Sequence, residues 1–422
     1  MTTGILLLVT LFLIILLGVP VAYAFIAVGL LFILLTLDVP AFSLVTQSTT
    51  AGADSVPMTA IPLFLLAGSL MNAGGITRRL IDFAGIFFGR LPGGLGVVNV
   101  GTNVMFAGLS GSAIAGASAI GKAMIPEMEE RGYPRRFGAA LTSSASIVGG
   151  VIPPAIPLVV YAIAANEDIR VLLTAGLLPG LLIAALFAVT VLVLAAVQGL
   201  PRQARPSMRA ALLAARDSIP ALLMPVIILG GIMSGLFTAT EAAAIAAIYA
   251  LLVSTLYYRE LNWRKIPAVI SEAARSSAVI LFIIAAAAVL GQIFVRTGLP
   301  AAVSENLEGL TPIVFLLLVN VILLLVGTFM EANAAIIIFT PLLLPTATAL
   351  GVDPVHFGVV IVVNLMIGLI TPPIGMSLFV TSDIAKVSIL EVAKANLPFL
   401  GIALAALSVI TFLPELSLWL VQ

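Results

Sequence analysis

Twice in this chain a long apolar run is interrupted by a Pro-Pro pair: IVGGVIPP from Ile147 to Pro154, and MIGLITPP from Met366 to Pro373. Proline has no amide hydrogen to bond the carbonyl one turn back, and its ring collides with that carbonyl. Each run is therefore predicted to form a broken helix, freeing the carbonyls of Gly149 and Gly150 in one and of Gly368 and Leu369 in the other. Of the 422 residues, 61% are hydrophobic and 9% charged. A soluble domain carries about 25% charge, so these breaks belong to a polytopic membrane protein. Inside a bilayer a bare carbonyl is tolerated only where it lines a cavity or holds an ion. A lone intramembrane proline is most simply a packing kink. A matched pair in corresponding halves argues instead for the binding site of a secondary transporter.

Composition removes other classes of function. Positive and negative charges cancel, so no acidic or basic partner is implied. Without cysteine there are no disulfides, thiolate metal sites or thiol nucleophiles. No HExxH, GxSxG or P-loop pattern occurs, so the chain is not read as an enzyme or a nucleotide-driven pump. Nucleic-acid binding has no basic patch behind it. The lone histidine, His356, falls in a predicted loop and reads as a surface residue. The N-terminus lacks a positive segment, so its first apolar run reads as a membrane span and not a cleaved signal.

A spanning helix needs about 20 mainly apolar residues. That ruler predicts spans at 5–19, 21–37 and 57–73, with a polar loop over 38–56 and an amphipathic arm at 76–90. Residues 95–128 are apolar at both ends and rich in small residues between Gly108 and Ser118, which predicts a re-entrant hairpin with its tip at Ser110, Gly111 and Ser112. The plainer alternative is one long span with a small-residue packing stripe. A charged loop over 127–136, the first broken helix over 137–165 and a span at 171–197 complete the first half. An Arg-rich linker over 198–217 separates the halves. After it come spans at 219–233 and 239–257, an arm at 259–275, and a span at 278–295. A second hairpin over 312–350, turning between Gly327 and Asn333, precedes the second broken helix at 357–383 and a last span at 397–420.

The halves, 1–197 and 218–422, repeat one plan. Phe137-Gly138 matches Phe357-Gly358 at an offset of 220, Pro153 matches Pro372 at 219, and Asn99 matches Asn320 at 221. Each half holds five crossings, one of them broken, and a hairpin that returns to its own side. Five is odd, so the second half is inverted. Placing the linker in the cytoplasm puts all 19 Lys and Arg inside except Arg170 and Arg296, while the opposite orientation puts 17 outside. The fold class expected is an all-α polytopic membrane protein of two inverted-topology repeats, with both termini facing outward, built for alternating access.

Hard cations such as sodium take oxygen ligands. A first cation site is expected between Ser110, Gly111 and Ser112 and the break residues Gly149, Gly150, Val151 and Pro154. Its counterpart combines Gly327, Ala332 and Asn333 with Gly368, Thr371 and Met376. Half-helix N-termini around the same space suit an anionic substrate. For Ser110 or Ser112 taken singly, local bonding to helix carbonyls is a strong alternative. Ionisable groups inside membrane segments are functional candidates, which singles out Glu331 and Glu241. Glu331 is open to three roles: cation ligand, proton site or backbone cap. Glu241, beside Thr238 and Thr240, reads first as a helix cap.

Gly108 to Ser112, Ala119 to Gly121, Pro126, Gly235 to Ala242, Gly327 to Glu331 and Thr371 to Pro373 together resemble the large membrane subunit (DctM/SiaM type) of tripartite ATP-independent periplasmic (TRAP) transporters. The resemblance spans nearly the whole chain. It implies an elevator-type carrier of the ion transporter superfamily in a bacterial inner membrane, driven by a sodium gradient, with two or more Na+ bound between hairpin tips and broken helices. Its implied partners are a small four-helix membrane subunit (DctQ/SiaQ type) and a periplasmic substrate-binding protein (DctP/SiaP type). They deliver an organic acid of the dicarboxylate, sialic acid or keto acid class. The chain starts directly at the large subunit's first helix, so the small subunit is expected to be a separate chain. The alternative is a self-sufficient sodium- or proton-coupled carrier of the same superfamily. One departure stands out: Gly116 occupies a position where many relatives carry an acidic residue.

Overall fold

The computed structural model describes residues 2–36, 47, 56–202, 207–307 and 309–421, all of whose regular elements are helical. In chain order the helices are α1 (Thr2–Leu16), α2 (Val21–Thr36), α3 (Ala60–Ala73), α4 (Ile76–Phe88), α5 (Gly94–Ser110), α6 (Ala113–Glu130), α7 (Arg135–Ser146), α8 (Ile156–Ala165) and α9 (Ile169–Gln198). There follow α10 (Met208–Met233), α11 (Ala239–Leu252), α12 (Ile266–Thr297), α13 (Leu299–Leu307), α14 (Pro312–Gly327), α15 (Ala332–Ala349), α16 (Pro354–Gly368), α17 (Met376–Ala385), α18 (Ile389–Phe412) and the short α19 (Glu415–Leu418). A 3₁₀ turn over Ile147–Gly150 carries α7 into the first break.

The chain is a multi-pass membrane protein. Among the described residues, six helices are long and apolar enough to cross a bilayer, including α9 (30 residues), α12 (32 residues) and α18 (24 residues). Most of the other expected crossings are shorter because they are interrupted. A bend of 73° separates α3 from α4, and the Pro-Pro pairs divide α7 from α8 and α16 from α17. Helix starts are fixed locally. Asp353 caps α16 by accepting from the Val355 and His356 amides, with Pro354 at the first helical position, where its missing N–H costs nothing.

Two hairpins and two breaks pack crosswise. The helix after the first break, α8, packs on α15 of the second hairpin; the helix after the second break, α17, packs on α6 of the first. Around them α3 packs on α11 and α12, α2 on α12, and α10 on α4.

Several sequence expectations are corrected. The arm expected at 259–275 is not separate, because α12 runs unbroken from Ile266 to Thr297. Shifted by the repeat of about 220, α4 falls instead on α13, the short helix after that span. The linker is shorter than 198–217: α9 continues to Gln198 and α10 begins at Met208, so Arg209 and Arg216 are helical. The charged loop at 127–136 shrinks to four residues, since Glu127, Glu129 and Glu130 complete α6. Apart from Gln47 and Val56, the polar stretch 38–56 lies outside the described residues, as do linker positions 203–206.

His356 is not a surface loop residue. It sits in the first turn of α16, 3% exposed, with Nδ1 3.4 Å from Ser417 Oγ and Nε2 3.3 Å from the Thr411 carbonyl. The Asp353 cap starts the helix before Phe357 and turns the imidazole inward.

Candidate functional site at the hairpin tips

The first hairpin ends as its glycine and serine chemistry requires. Gly111 closes α5 in the left-handed region at φ 60°, with its N–H donating to the Ala107 carbonyl at 3.3 Å. Ser112 is extended and caps α6, accepting the Ala115 N–H at 3.4 Å. Ser110 Oγ accepts the Ser112 N–H at 3.5 Å. The second tip is capped by an acid. Glu331 Oε2 accepts the Ala334 N–H at 3.0 Å, and Oε1 accepts from Asn333 Nδ2 at 2.7 Å. Among the described residues that leaves Asn333 Oδ1 buried and unpartnered. Of the three roles open to Glu331, the geometry displays backbone capping, with orientation of the Asn333 amide added to it.

Each tip is clasped by its own break in the same way. The Ile156 N–H donates to the Gly111 carbonyl at 3.0 Å, and the Gly375 N–H donates to the Thr328 carbonyl at 3.2 Å. Close backbone approach accompanies the clasp. A Cβ on Gly111 would lie 2.0 Å from the Pro154 oxygen; one on Gly149, 3.2 Å from the Ser112 oxygen; one on Gly368, 2.6 Å from Gly327 Cα. The expected ligand sets are thus brought together: Ser110, Gly111 and Ser112 with the 149–154 break, and Gly327 with the 368–373 break. Val151 turns its carbonyl toward Gly176 of α9. Met376 opens α17 next to the clasping Gly375.

The breaks differ in how they treat their carbonyls. Among the described residues no backbone N–H reaches the Gly149 or Gly150 oxygen. The expectation of bare carbonyls fails in the second break, where Gly368 O accepts from Thr371 N at 3.1 Å and Leu369 O from Ser377 N at 3.0 Å. There the Thr371 amide bonds three residues back, to Gly368, whereas its counterpart in the first break, the Ile152 amide, bonds four residues back, to Val148 at 2.9 Å. Thr371 Oγ1 donates to the Ile367 carbonyl at 2.8 Å, which fixes the hydroxyl with its lone pairs outward from that bond.

A cavity of about 900 Å³ joins the two tips: Ser110, Gly111, Ser112, Glu331, Ala332 and Asn333 all line it. Exposed Arg78, Lys122 and Glu272 also line it. Sequence reasoning missed Lys122, although Ala115, Ser118, Ala119 and Lys122 recur at helical spacing behind the tip and share the cavity wall. Glu241 is not in this wall. It completes a capping box with Thr238, whose N–H donates to Glu241 Oε2 at 2.8 Å. Gly116 does not line the cavity either: a Cβ there meets Asn103 Oδ1 at 3.4 Å and Ser146 Cβ at 3.7 Å, so a carboxylate at this position would begin against buried polar groups.

The family described as "Tripartite ATP-independent periplasmic transporter, DctM component" matches residues 8–416. The C4-dicarboxylate TRAP transporter large permease protein DctM of Pseudomonas aeruginosa is 42% identical, over 87% of this chain and 86% of that one. The sialic acid TRAP transporter large permease protein SiaM of Vibrio cholerae is 36% identical, over 96% and 95%. The isethionate TRAP transporter permease protein DctMQ of Oleidesulfovibrio alaskensis is 40% identical over 95% of this chain, which spans only 64% of that longer protein. In fold, the chain resembles the crystal structure of the YdaH transporter of Alcanivorax borkumensis, with a TM-score of 0.65, 17% identity, and 90% and 87% of the two chains covered.

Proposed function

Because the chain belongs to the DctM component family of tripartite ATP-independent periplasmic transporters, we propose that it is the translocation subunit of a sodium-gradient-driven importer of an organic acid. The observation that carries this reading is the single cavity of about 900 Å³ walled by both hairpin tips, each clasped to its own broken helix. Sodium ions are co-substrates. The first binds between Ser110, Gly111, Ser112 and the Gly149 and Gly150 carbonyls, which the breaks leave without backbone donors. The second binds between Gly327, Ala332, Asn333, Gly368 and Thr371, where the buried, unpartnered Asn333 Oδ1 fits a hard cation. Occupying a site holds tip and break together, and the substrate anion then meets two tips of fixed shape.

The matched clasps, one repeat apart, and the crosswise packing of α8 on α15 and α17 on α6 support two inverted repeats working as an elevator in the inner membrane, with both termini periplasmic. In this orientation Arg78, Lys122 and Glu272 mark the cytoplasmic mouth of the cavity, and the structure corresponds to an inward-facing carrier. The relatives' printed substrates, C4-dicarboxylates, sialic acid and isethionate, are all acids, which supports an anionic substrate here. The longer relative named DctMQ supports a small Q-type membrane partner, and the family name supports a periplasmic binding protein.

Uptake into liposomes holding this chain with both partners, under sodium and proton gradients imposed separately, tests the reading. The expected result is uptake that follows sodium. Uptake that ignores sodium refutes the two sites, and uptake with neither partner present refutes the tripartite assignment.

A further inference from the structure

Asn396 belongs to neither hairpin nor break, yet it is bonded to both halves. It lies on α18, 1% exposed, under Phe399, whose ring packs against Phe137 and Phe187 at centroid distances of 6.1 Å. Its Nδ2 donates to the Ile370 carbonyl at 2.9 Å, inside the second break between Gly368 and Thr371. Its Oδ1 accepts from Ser144 Oγ, on α7, in the last turn before the Ile147–Gly150 stretch that carries the first break's free carbonyls. The amide orientation is forced. Ile370 offers only an acceptor, so a flipped Asn396 would set oxygen against oxygen in a buried place.

Neither end of this link can move alone. If a cation draws in the Gly149 and Gly150 carbonyls, α7 shifts, and Ser144 carries the shift to Asn396. Through Nδ2 it reaches the peptide next to Gly368 and Thr371. Asn396 has no repeat mate of its kind, because Leu177 stands at the corresponding place in the first half. This hydrogen-bonded link is therefore supplied from the second half alone, beside the packing of Met366 on Gly150.

We propose that Asn396 is a positioning residue that couples the two sodium sites, so that filling one raises the affinity of the other. This inference rests on the two-site reading above. Coupling between sites in proteins spans about 5- to 150-fold in affinity, and a Hill coefficient is bounded by the number of sites.

The test uses the full transporter with both partners in liposomes and reads initial uptake against sodium concentration for the native chain, Asn396→Leu, Ser144→Ala and Ser146→Ala. The native chain is expected to give a Hill coefficient approaching two, and Asn396→Leu and Ser144→Ala a coefficient near one, with half-saturating sodium raised about 10-fold. Ser146→Ala is expected to keep the native coefficient, because among the described residues its hydroxyl bonds only back to the Ser143 carbonyl, at 2.7 Å. Should Asn396→Leu fail to fold, Ser144→Ala alone decides, since it removes one end of the link and keeps the buried amide. A native coefficient of one, or unchanged coefficients in both link variants, overturns the coupling while leaving two sites standing. Sodium-independent uptake by the native chain overturns the two-site reading itself.

Discussion

Gly111→Ala separates tip from break with one methyl group. Gly111 has φ 60°, and a residue with a Cβ in that region costs about 1–2 kcal/mol. The new Cβ would also lie 2.0 Å from the Pro154 oxygen. Ordinary contact between heavy atoms is about 3.5 Å, so tip and break must part by about 1.5 Å. That movement breaks the 3.0 Å bond from Ile156 N to the Gly111 carbonyl, which contributes about 1 kcal/mol. Together these amount to about 2–3 kcal/mol, or about 30- to 140-fold in an equilibrium constant. The proposed ligands of the first site lie on the two surfaces that part, so the loss falls on sodium affinity. Sodium titration of thermal stability in the purified complex, and of uptake in liposomes, measures it. Gly199→Ala is the matched control, with φ 66° and no atom of the described residues within 4 Å of its Cβ. It carries the backbone strain alone, and is expected to lower thermal stability while leaving half-saturating sodium unchanged. A Gly111→Ala protein that folds and binds sodium like the native chain would refute the claim that tip and break share an ion.

Gly368→Ala, without any strain in φ, drives a Cβ to 2.6 Å from Gly327 Cα, and should weaken sodium activation through the second site by about 10-fold or more. Glu331→Gln keeps an acceptor for the Ala334 amide but sets donor against donor at Asn333; uptake at limiting sodium should fall at least about 10-fold, with a loss of thermal stability of only about 1 kcal/mol. Arg79→Ala removes the 2.7 Å ion pair to Glu260 and the guanidinium 3.7 Å over the Tyr258 ring. The arm helix α4 then loosens from the end of α11, and proteolysis of α4 in membranes should become faster than in Arg79→Lys.

What the sequence makes legible is whatever backbone chemistry dictates locally. The Pro-Pro pairs removed amide donors whatever surrounded them, and Gly111 and Ser112 could turn the chain and cap α6 by themselves. Contacts made across the fold were hidden. His356 looked like a loop residue because its partners, Ser417 and the Thr411 carbonyl, lie 61 and 55 residues away. Asn396 was invisible for the same reason, since Ser144 is 252 residues distant. The misplaced arm was an error of periodicity: polar residues at 259–275 resembled a surface helix, but apolar residues continue the same helix through Thr297. Counting along the repeat from α4 would have reached α13. The second break was legible as a break and misread as to its carbonyls. Proline predicts which donors are missing, but not which neighbouring amides, such as those of Thr371 and Ser377, fold back to replace them.

That last difference separates the two proposed sodium sites, which the repeat makes look alike. In the first break the Gly149 and Gly150 oxygens stay open, while Ser112 Oγ is already engaged by the Ala115 amide. The first site therefore leans on backbone oxygens, which side-chain substitution cannot delete. In the second break both freed carbonyls accept one amide each, and among the described residues the side-chain oxygens Asn333 Oδ1 at the tip and Ser377 Oγ in the first turn of α17 are buried without a partner. The second site leans on a side chain. Asn333→Ala should consequently cost more sodium affinity than Ser112→Ala, by about 10-fold, since a ligand is lost in one case and a shared hydroxyl in the other. Parallel sodium titrations of the two variants measure the ratio. If Ser112→Ala proves the more damaging, the first site depends on its hydroxyl and the backbone account of it is wrong.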